Sequence, residues 1–282
     1  MLTIADDIDH EPVWAFEPGE AIGADLLAWE PLGVGPRCHT WLAWCTRRWC
    51  PVVAKLARPH QTTNERALAG LGREVDLLGR LAHPLFPRLL DDRRADEIPA
   101  VVVELIDGEP LDVLVDEGGR LDASAGAWLA FQLAAGLRRL HALGVAHLDL
   151  KPDNVLVADG HPRLIDLASS RPFGPLRPAR ALLGTAGYAS PELEAGCDIT
   201  PTMDVFGLGA VLRDAVDAEG PLGDLVAELC QPDPARRPAT MEWVLDRLAP
   251  ILGDDLEPSW LPRASSVGRG EQPVVDRSRG IG

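Results

Sequence analysis

The run His147-Leu148-Asp149-Leu150-Lys151-Pro152-Asp153-Asn154 carries an aspartate, a lysine two residues on and an asparagine five residues on. Lys151 is one of two lysines in a 282-residue chain that holds 27 lysines and arginines in all. The other, Lys55, closes the segment Val53-Ala54-Lys55. Lysine is a compact charge on a flexible stem, whereas arginine is a planar fork that grips two oxygens at once. Lysine used only here, in an arginine-rich chain, marks two positions that need a point charge.

Working outward from the run, Val155-Leu156-Val157 and Arg163-Leu164-Ile165 read as short strands. Helical patterns surround them over residues 123–143, 204–217, 222–230 and 240–252. The first third of the chain differs. Leu27-Ala28-Trp29, residues 39–46 and residues 51–56 read as strands, with turns at Gly33 and Gly35 and at Arg47-Arg48. Residues 64–82 switch to helical spacing, with Leu68, Leu71, Val75, Leu78 and Ala82 on one stripe. Thr62 and Glu65 form a capping-box pattern before it, and His83-Pro84 is its expected end. Residues 87–90 and the apolar residues 100–105 read as two further strands. Strands followed by helices predict an α+β protein with two lobes. The divisions expected are an arm over 1–24, lobes over 25–104 and 105–253, and a Ser/Gly/Pro/Arg-rich, disordered tail over 254–282.

A net charge of −16 disfavours nucleic acid and anionic membranes as partners. Five cysteines without a C-x-x-C pair argue against disulfides and zinc. The acidic start is unlike a signal peptide, and no run of about 18 apolar residues predicts a spanning helix. Cytoplasmic location is the expectation.

Taken together, these motifs resemble the eukaryotic-like serine/threonine protein kinases of bacteria, in order and over residues 26–252. The resemblance implies a kinase-like fold: an antiparallel-sheet N-lobe with one main helix, and a helical C-lobe. Leu32-Gly33-Val34-Gly35-Pro36-Arg37-Cys38-His39-Thr40 resembles the Gly-rich loop over ATP phosphates, with Cys38 at the third glycine and Thr40 at the usual valine. Cys38 reads as a small filler. Leu32, Gly33, Gly35, Thr40, Ala54, Glu104, Ile106 and Leu156 would surround the nucleotide, with Leu156 as the floor under adenine. Lys55 would hold the α- and β-phosphates and pair with Glu74, or with Asp76 as the alternative. Asp149 would orient or deprotonate the substrate hydroxyl, and Lys151 would neutralise the transferring phosphoryl group. Asn154 and Asp166 would bind Mg2+, with Mn2+ as the substitute. Thr185 would contact Asp149 and Lys151, Glu192 would pair with Arg237, and Asp204 would brace the catalytic loop.

The chain departs from the family at several places. Leu148 replaces the arginine that commonly binds a phosphorylated activation-loop residue. Asp166-Leu167-Ala168 replaces Asp-Phe-Gly, which narrows backbone options at Ala168. Residues 169–183 hold only Ser169 and Ser170 as hydroxyls, so activity is expected without loop phosphorylation. Arg171, Arg177 and Arg180 make that loop basic. About 30 residues separate Asp204 from Arg237, short of the usual late helical insert.

Three functions follow. The first is ATP- and magnesium-dependent transfer to Ser/Thr of a protein substrate. The second is a small-molecule kinase of the antibiotic-phosphotransferase type, which leaves Lys151 and the Glu192/Arg237 pair without a purpose. The third is a nucleotide-binding pseudokinase scaffold, favoured by Cys38 and Ala168. Partners are a protein substrate or regulatory protein; oligomeric state is left open. Ser265, Ser266 and Ser278 are candidate autophosphorylation sites.

Overall fold

A computed structural model of the chain describes residues 11–176 and 183–253. The predicted tail, its three serines, Arg177 and Arg180 lie outside these residues.

Strict alternation builds the N-lobe sheet. Strand β3 (Cys38–Cys45) buries His39, Trp41, Ala43 and Cys45 on one face, the period of two that a pleated strand imposes. It pairs antiparallel with β4 (Cys50–Ala57), placing Trp41 opposite Ala54 and Thr40 opposite Lys55. With β1 (Ala21–Gly23), β2 (Leu26–Val34), β5 (Leu89–Arg93) and β6 (Ala100–Glu104), these make one antiparallel sheet in the order β1-β2-β3-β4-β6-β5. Strand β1 lies inside the stretch read as an arm. Strand β2 runs on through Gly33, so only Gly35 belongs to the turn. Strand β5 begins at Leu89, two residues late, since Pro87 has no N–H to give a ladder.

Helix α1 (Glu65–Leu78) differs at both ends from its sequence pattern. Asn64, extended and adjacent to the helix, accepts from the amides of Arg66 and Ala67 at 2.9 and 3.2 Å. That N-cap displaces the expected Thr62, whose hydroxyl instead donates to Pro59 O. Gly79 caps the C-terminus ahead of His83-Pro84, which leaves Ala82 outside the helix and exposed. Leu71 and Val75 pack on Ala57 and Val101, fixing α1 to one face of the sheet. The other face buries Ile22, Leu26, Trp41, Ala54, Leu56 and Val102, and Trp14 and Phe16 pack over it.

The C-lobe centres on α3 (Ala123–His141), whose Leu129, Leu133, Leu137 and Leu140 are fully buried. Each such leucine contributes about 1.5–3 kcal/mol over an exposed one. Around them stand α2 (Leu111–Gly118), α4 (Pro191–Glu194), α5 (Pro201–Ala215), α6 (Gly220–Leu229) and α7 (Met241–Leu252). Helices α2 and α4 were not expected from the sequence, being two turns and one turn long. Strand β9 (Val155–Ala158) pairs with β10 (His161–Leu164) and β7 (Glu109–Pro110), and β8 (Val145–Ala146) with β11 (Arg171–Pro172). The catalytic-type run lies between β8 and β9, where the two lobes meet.

Candidate active site

Lys55 stands on β4, on the face opposite the buried Ala54 and Leu56. Its ammonium is 2.9 Å from Glu74 Oε2 on α1 and 2.6 Å from Asp166 Oδ1. Glu74, 6% exposed, is therefore the partner; Asp76 lies nearest Arg94, at 4.0 Å. Burial opposes charge on Lys55, but Asp166 and Glu74 outweigh it and raise its pKa. Burial likewise acts on Asp166, and Lys55 overrides it to hold that carboxyl low. Burial pushes Glu74 up, making it the softer member of the trio.

Thr185 Oγ1 donates to Asp149 Oδ1 at 2.8 Å, and Asn154 Nδ2 donates to Asp149 O at 2.9 Å. Gly184 makes the first contact attainable: its φ is +77°, and a Cβ there would stand 3.0 Å from Leu148 O. Lys151 sits on the same loop, with its ammonium 3.0 Å from Asp153 rather than held by Thr185. The amide bond to Asp149 turns Asn154 Oδ1 the other way, while Asp166 keeps Oδ2 outside its ion pair with Lys55. One carboxylate and one amide oxygen form a sparse, hard donor set. It fits Mg2+, which takes one or two protein oxygens and completes its shell with phosphates and water.

Asp204, at the start of α5 and 1% exposed, accepts from the amides of His147 and Leu148 at 2.7 and 2.8 Å. Its Oδ2 also lies 2.7 Å from His141 Nε2. Burial raises its pKa, but these bonds and His141 prevail and lower it. Arg237 grips Glu192 with two bonds, 2.7 and 2.8 Å, and also donates to the carbonyls of Gln231, Thr202 and Pro232.

Leu148 is packed in an apolar cluster with Leu176, Ala189, Leu193, Ile199 and Met203. Where the resemblance implied an arginine for phosphate, this chain has a hydrophobic anchor for the activation segment. Ser170 is fully buried. Arg171 is not a free surface charge: it donates to the carbonyls of Ala168, Ser169 and Ser170. Arg73 on α1 donates to Ala168 O through Nε and Nη2 at 2.9 and 2.8 Å. Burial, with Arg73 and Arg37 near, pushes Arg171 down to about 10.

The remaining residues scatter more. Leu32 is 49% exposed, Gly33 is exposed and Gly35 half-buried. Ala54 and Ile106 are buried, and Thr40 and Leu156 are half-buried. The Glu104 carboxylate pairs with Arg88, at 2.6 Å, and with Arg163, and its amide donates to Arg88 O at 3.0 Å. Cys38 is half-buried, and burial lifts its thiol to about 11, as suits a filler side chain. Sequence reading missed Arg73 and His141. Arg73 adjoins Glu74, but an arginine on a helix is ordinarily solvated, and its carbonyl partner is nearly a hundred residues away in the chain.

A two-lobed fold with a lysine held between a helix glutamate and Asp166, and with Asp149 and Asn154 on the loop between β8 and β9, defines the protein kinase class. The chain belongs to that family: the Protein kinase domain profile matches residues 29–228. Among its relatives, the probable serine/threonine-protein kinase PkwA of Thermomonospora curvata is 31% identical, covering 79% of this chain and 31% of the relative. Serine/threonine-protein kinase PkaA of Streptomyces coelicolor is 32% identical over 93% of this chain and 51% of its own length. PknD of Mycobacterium tuberculosis is 31% identical over 74% and 33%. The chain thus spans about a third to a half of these relatives. Among the described residues, no helix is long and apolar enough to cross a membrane.

Proposed function

We propose that the chain transfers the γ-phosphoryl group of ATP to Ser or Thr hydroxyls of protein substrates, without loop phosphorylation. The observation that carries this reading is the closed trio of Lys55, Glu74 and Asp166. A pseudokinase that only scaffolds has no need of the complete charged set.

Phosphoryl transfer needs positioning and charge stabilisation more than covalent chemistry. Lys55 holds phosphate oxygens, and Glu74 aims its ammonium. Asn154 Oδ1 and Asp166 Oδ2 would hold Mg2+, with Mn2+ able to serve; the ion supplies neutralisation of phosphate charge. Thr185 donates to Asp149 Oδ1 at 2.8 Å, while Oδ2 takes the longer 3.4 Å contact from Asn154 Nδ2 and would be the atom that meets the acceptor hydroxyl. The acceptor oxygen bonds to the γ-phosphorus as the bond to the β–γ bridging oxygen breaks. The hydroxyl proton passes to Asp149, and Lys151 offsets charge on the moving group.

Independence from loop phosphorylation is supported by Leu148 in its apolar cluster and by Arg73 and Arg171, which brace Ala168 through neutral carbonyls. The Glu192–Arg237 clamp favours a protein over a small-molecule acceptor. We assign residues 25–104 and 105–253 to the two lobes, and a cytoplasmic site of action. Incubation with Mg-ATP followed by mass spectrometry, beside Asp149→Asn, tests the reading. Phosphate on Ser or Thr of casein, absent with the variant, is expected; nucleotide binding without transfer refutes it.

A further inference from the structure

Arg58 follows β4 and has no exposed side-chain surface. A buried guanidinium is tolerable only when its donors are met. Among the described residues, backbone carbonyls from two places meet them. Nη2 donates to Glu11 O at 2.7 Å and Nε to Pro12 O at 3.2 Å, while Nη1 donates to Gly35 O at 3.2 Å. Gly35 is the turn of the Gly-rich loop, and the Arg58 amide also donates to Arg37 O on that turn at 3.0 Å. One side chain therefore joins the N-terminal segment to the loop.

The segment is seated independently. Trp14 Nε1 donates to Ala57 O at 2.7 Å. The Trp14 ring stacks on Phe16, centroids 5.6 Å apart, and Phe16 meets Trp41 edge-on at 5.4 Å. Glu11 adds ion pairs to Arg58 at 3.4 Å and His60 at 3.1 Å. This face of the sheet lies opposite α1, so the contacts do not touch the Lys55 trio.

We propose that residues 11–16, anchored by Trp14 and Phe16, form a strap that sets the Gly-rich loop through Arg58. Lifting the strap leaves the guanidinium without two of its carbonyls. Arg58 then turns to water, and Gly35 loses its tether. Arg58 is thus a positioning residue, and whatever binds the strap would tune nucleotide affinity at a distance from the cleft. The nucleotide consequence rests on the proposed reading of residues 32–40; the mechanical link does not.

The test is amide hydrogen exchange in the full chain with Trp14→Ala/Phe16→Ala, beside the milder Arg58→Lys, which preserves charge but cannot reach three carbonyls. Exchange over residues 33–38 should quicken about ten-fold in both, as expected when a charge-assisted bond is lost. Dissociation constants for a fluorescent mant-ADP should rise by a similar factor while kcat changes little. Unchanged exchange over 33–38 overturns the strap. A parent protein that fails to bind mant-ADP refutes the assignment of the cleft instead, and the exchange result still decides the strap.

Discussion

Leu148 holds a left-handed backbone, φ 68°, and its amide donates to Asp204 Oδ1 at 2.8 Å. A γ-branched residue rarely occupies that region, and the strain costs about 1–3 kcal/mol. Asp204 offsets it by accepting from two consecutive amides. The strained turn places Asp149 beside Thr185. Asp204→Asn turns a donor toward donors, and Asp204→Ala leaves two buried amides and His141 without an acceptor. Either change should destabilise by about 3 kcal/mol and lower kcat at least in proportion to the misplaced Asp149. Thermal melting and steady-state kinetics check it.

Loop serines and helix arginine should behave oppositely. Ser169→Ala/Ser170→Ala is expected to leave turnover within about two-fold, since among the described residues the hydroxyl bond given up is the 3.5 Å contact from buried Ser170 to His147 O. Arg73→Met instead frees α1 from Ala168 and should cut kcat about ten-fold by loosening Glu74. Equal large losses for both would refute independence from loop phosphorylation. Peptide kinetics on phosphatase-treated protein separates the cases.

Legibility followed periodicity. Strand β3 and helix α3 could be located because their burial repeats at two and 3.6 residues. Lys55, Asp149 and Asp166 were legible because each stands in a local motif. What stayed hidden was set by contacts distant in sequence. Strand β1 is three residues long and makes sense only against β2. Asn64 and Thr62 are both good caps, and the geometry of the turn before α1 chose between them. Arg58, Arg73 and Arg171 look like surface arginines until their carbonyl partners are seen.

Acid should weaken the fold through three histidines. Burial lowers the pKa of His39, His83 and His147 below the usual 6.5. A histidine whose folded pKa is depressed binds fewer protons in the folded chain than in the unfolded one. Its stability contribution is therefore full above 6.5 and lost as pH falls below it toward the folded values. Melting temperature should drop between pH 7.5 and 5.5. Among the described residues, neither ring nitrogen of His39 has a hydrogen-bond partner. His39→Leu should raise stability at neutral pH by about 1 kcal/mol and flatten the pH slope. A lower melting temperature for that variant at pH 7.5 would show that the ring is needed for packing against Trp41.

Lys55 and Glu74 should not be equivalent to mutation, although they form one ion pair. Lys55 has a second carboxylate, Asp166, at 2.6 Å. Glu74→Gln retains shape and a hydrogen-bond acceptor, and Asp166 still anchors the ammonium. The expected loss is about ten-fold in kcat, because Lys55 is then drawn toward Asp166, the carboxylate proposed to hold the metal. Lys55→Arg retains charge but puts a planar fork into a site built for a point charge. It should lower kcat by about 10²–10³, as removal of a preorganised donor to developing charge does. Native-like melting curves for both variants, with the larger kinetic loss at Lys55, would separate phosphate holding from helix placement. The reverse order would assign the principal role to the position of α1.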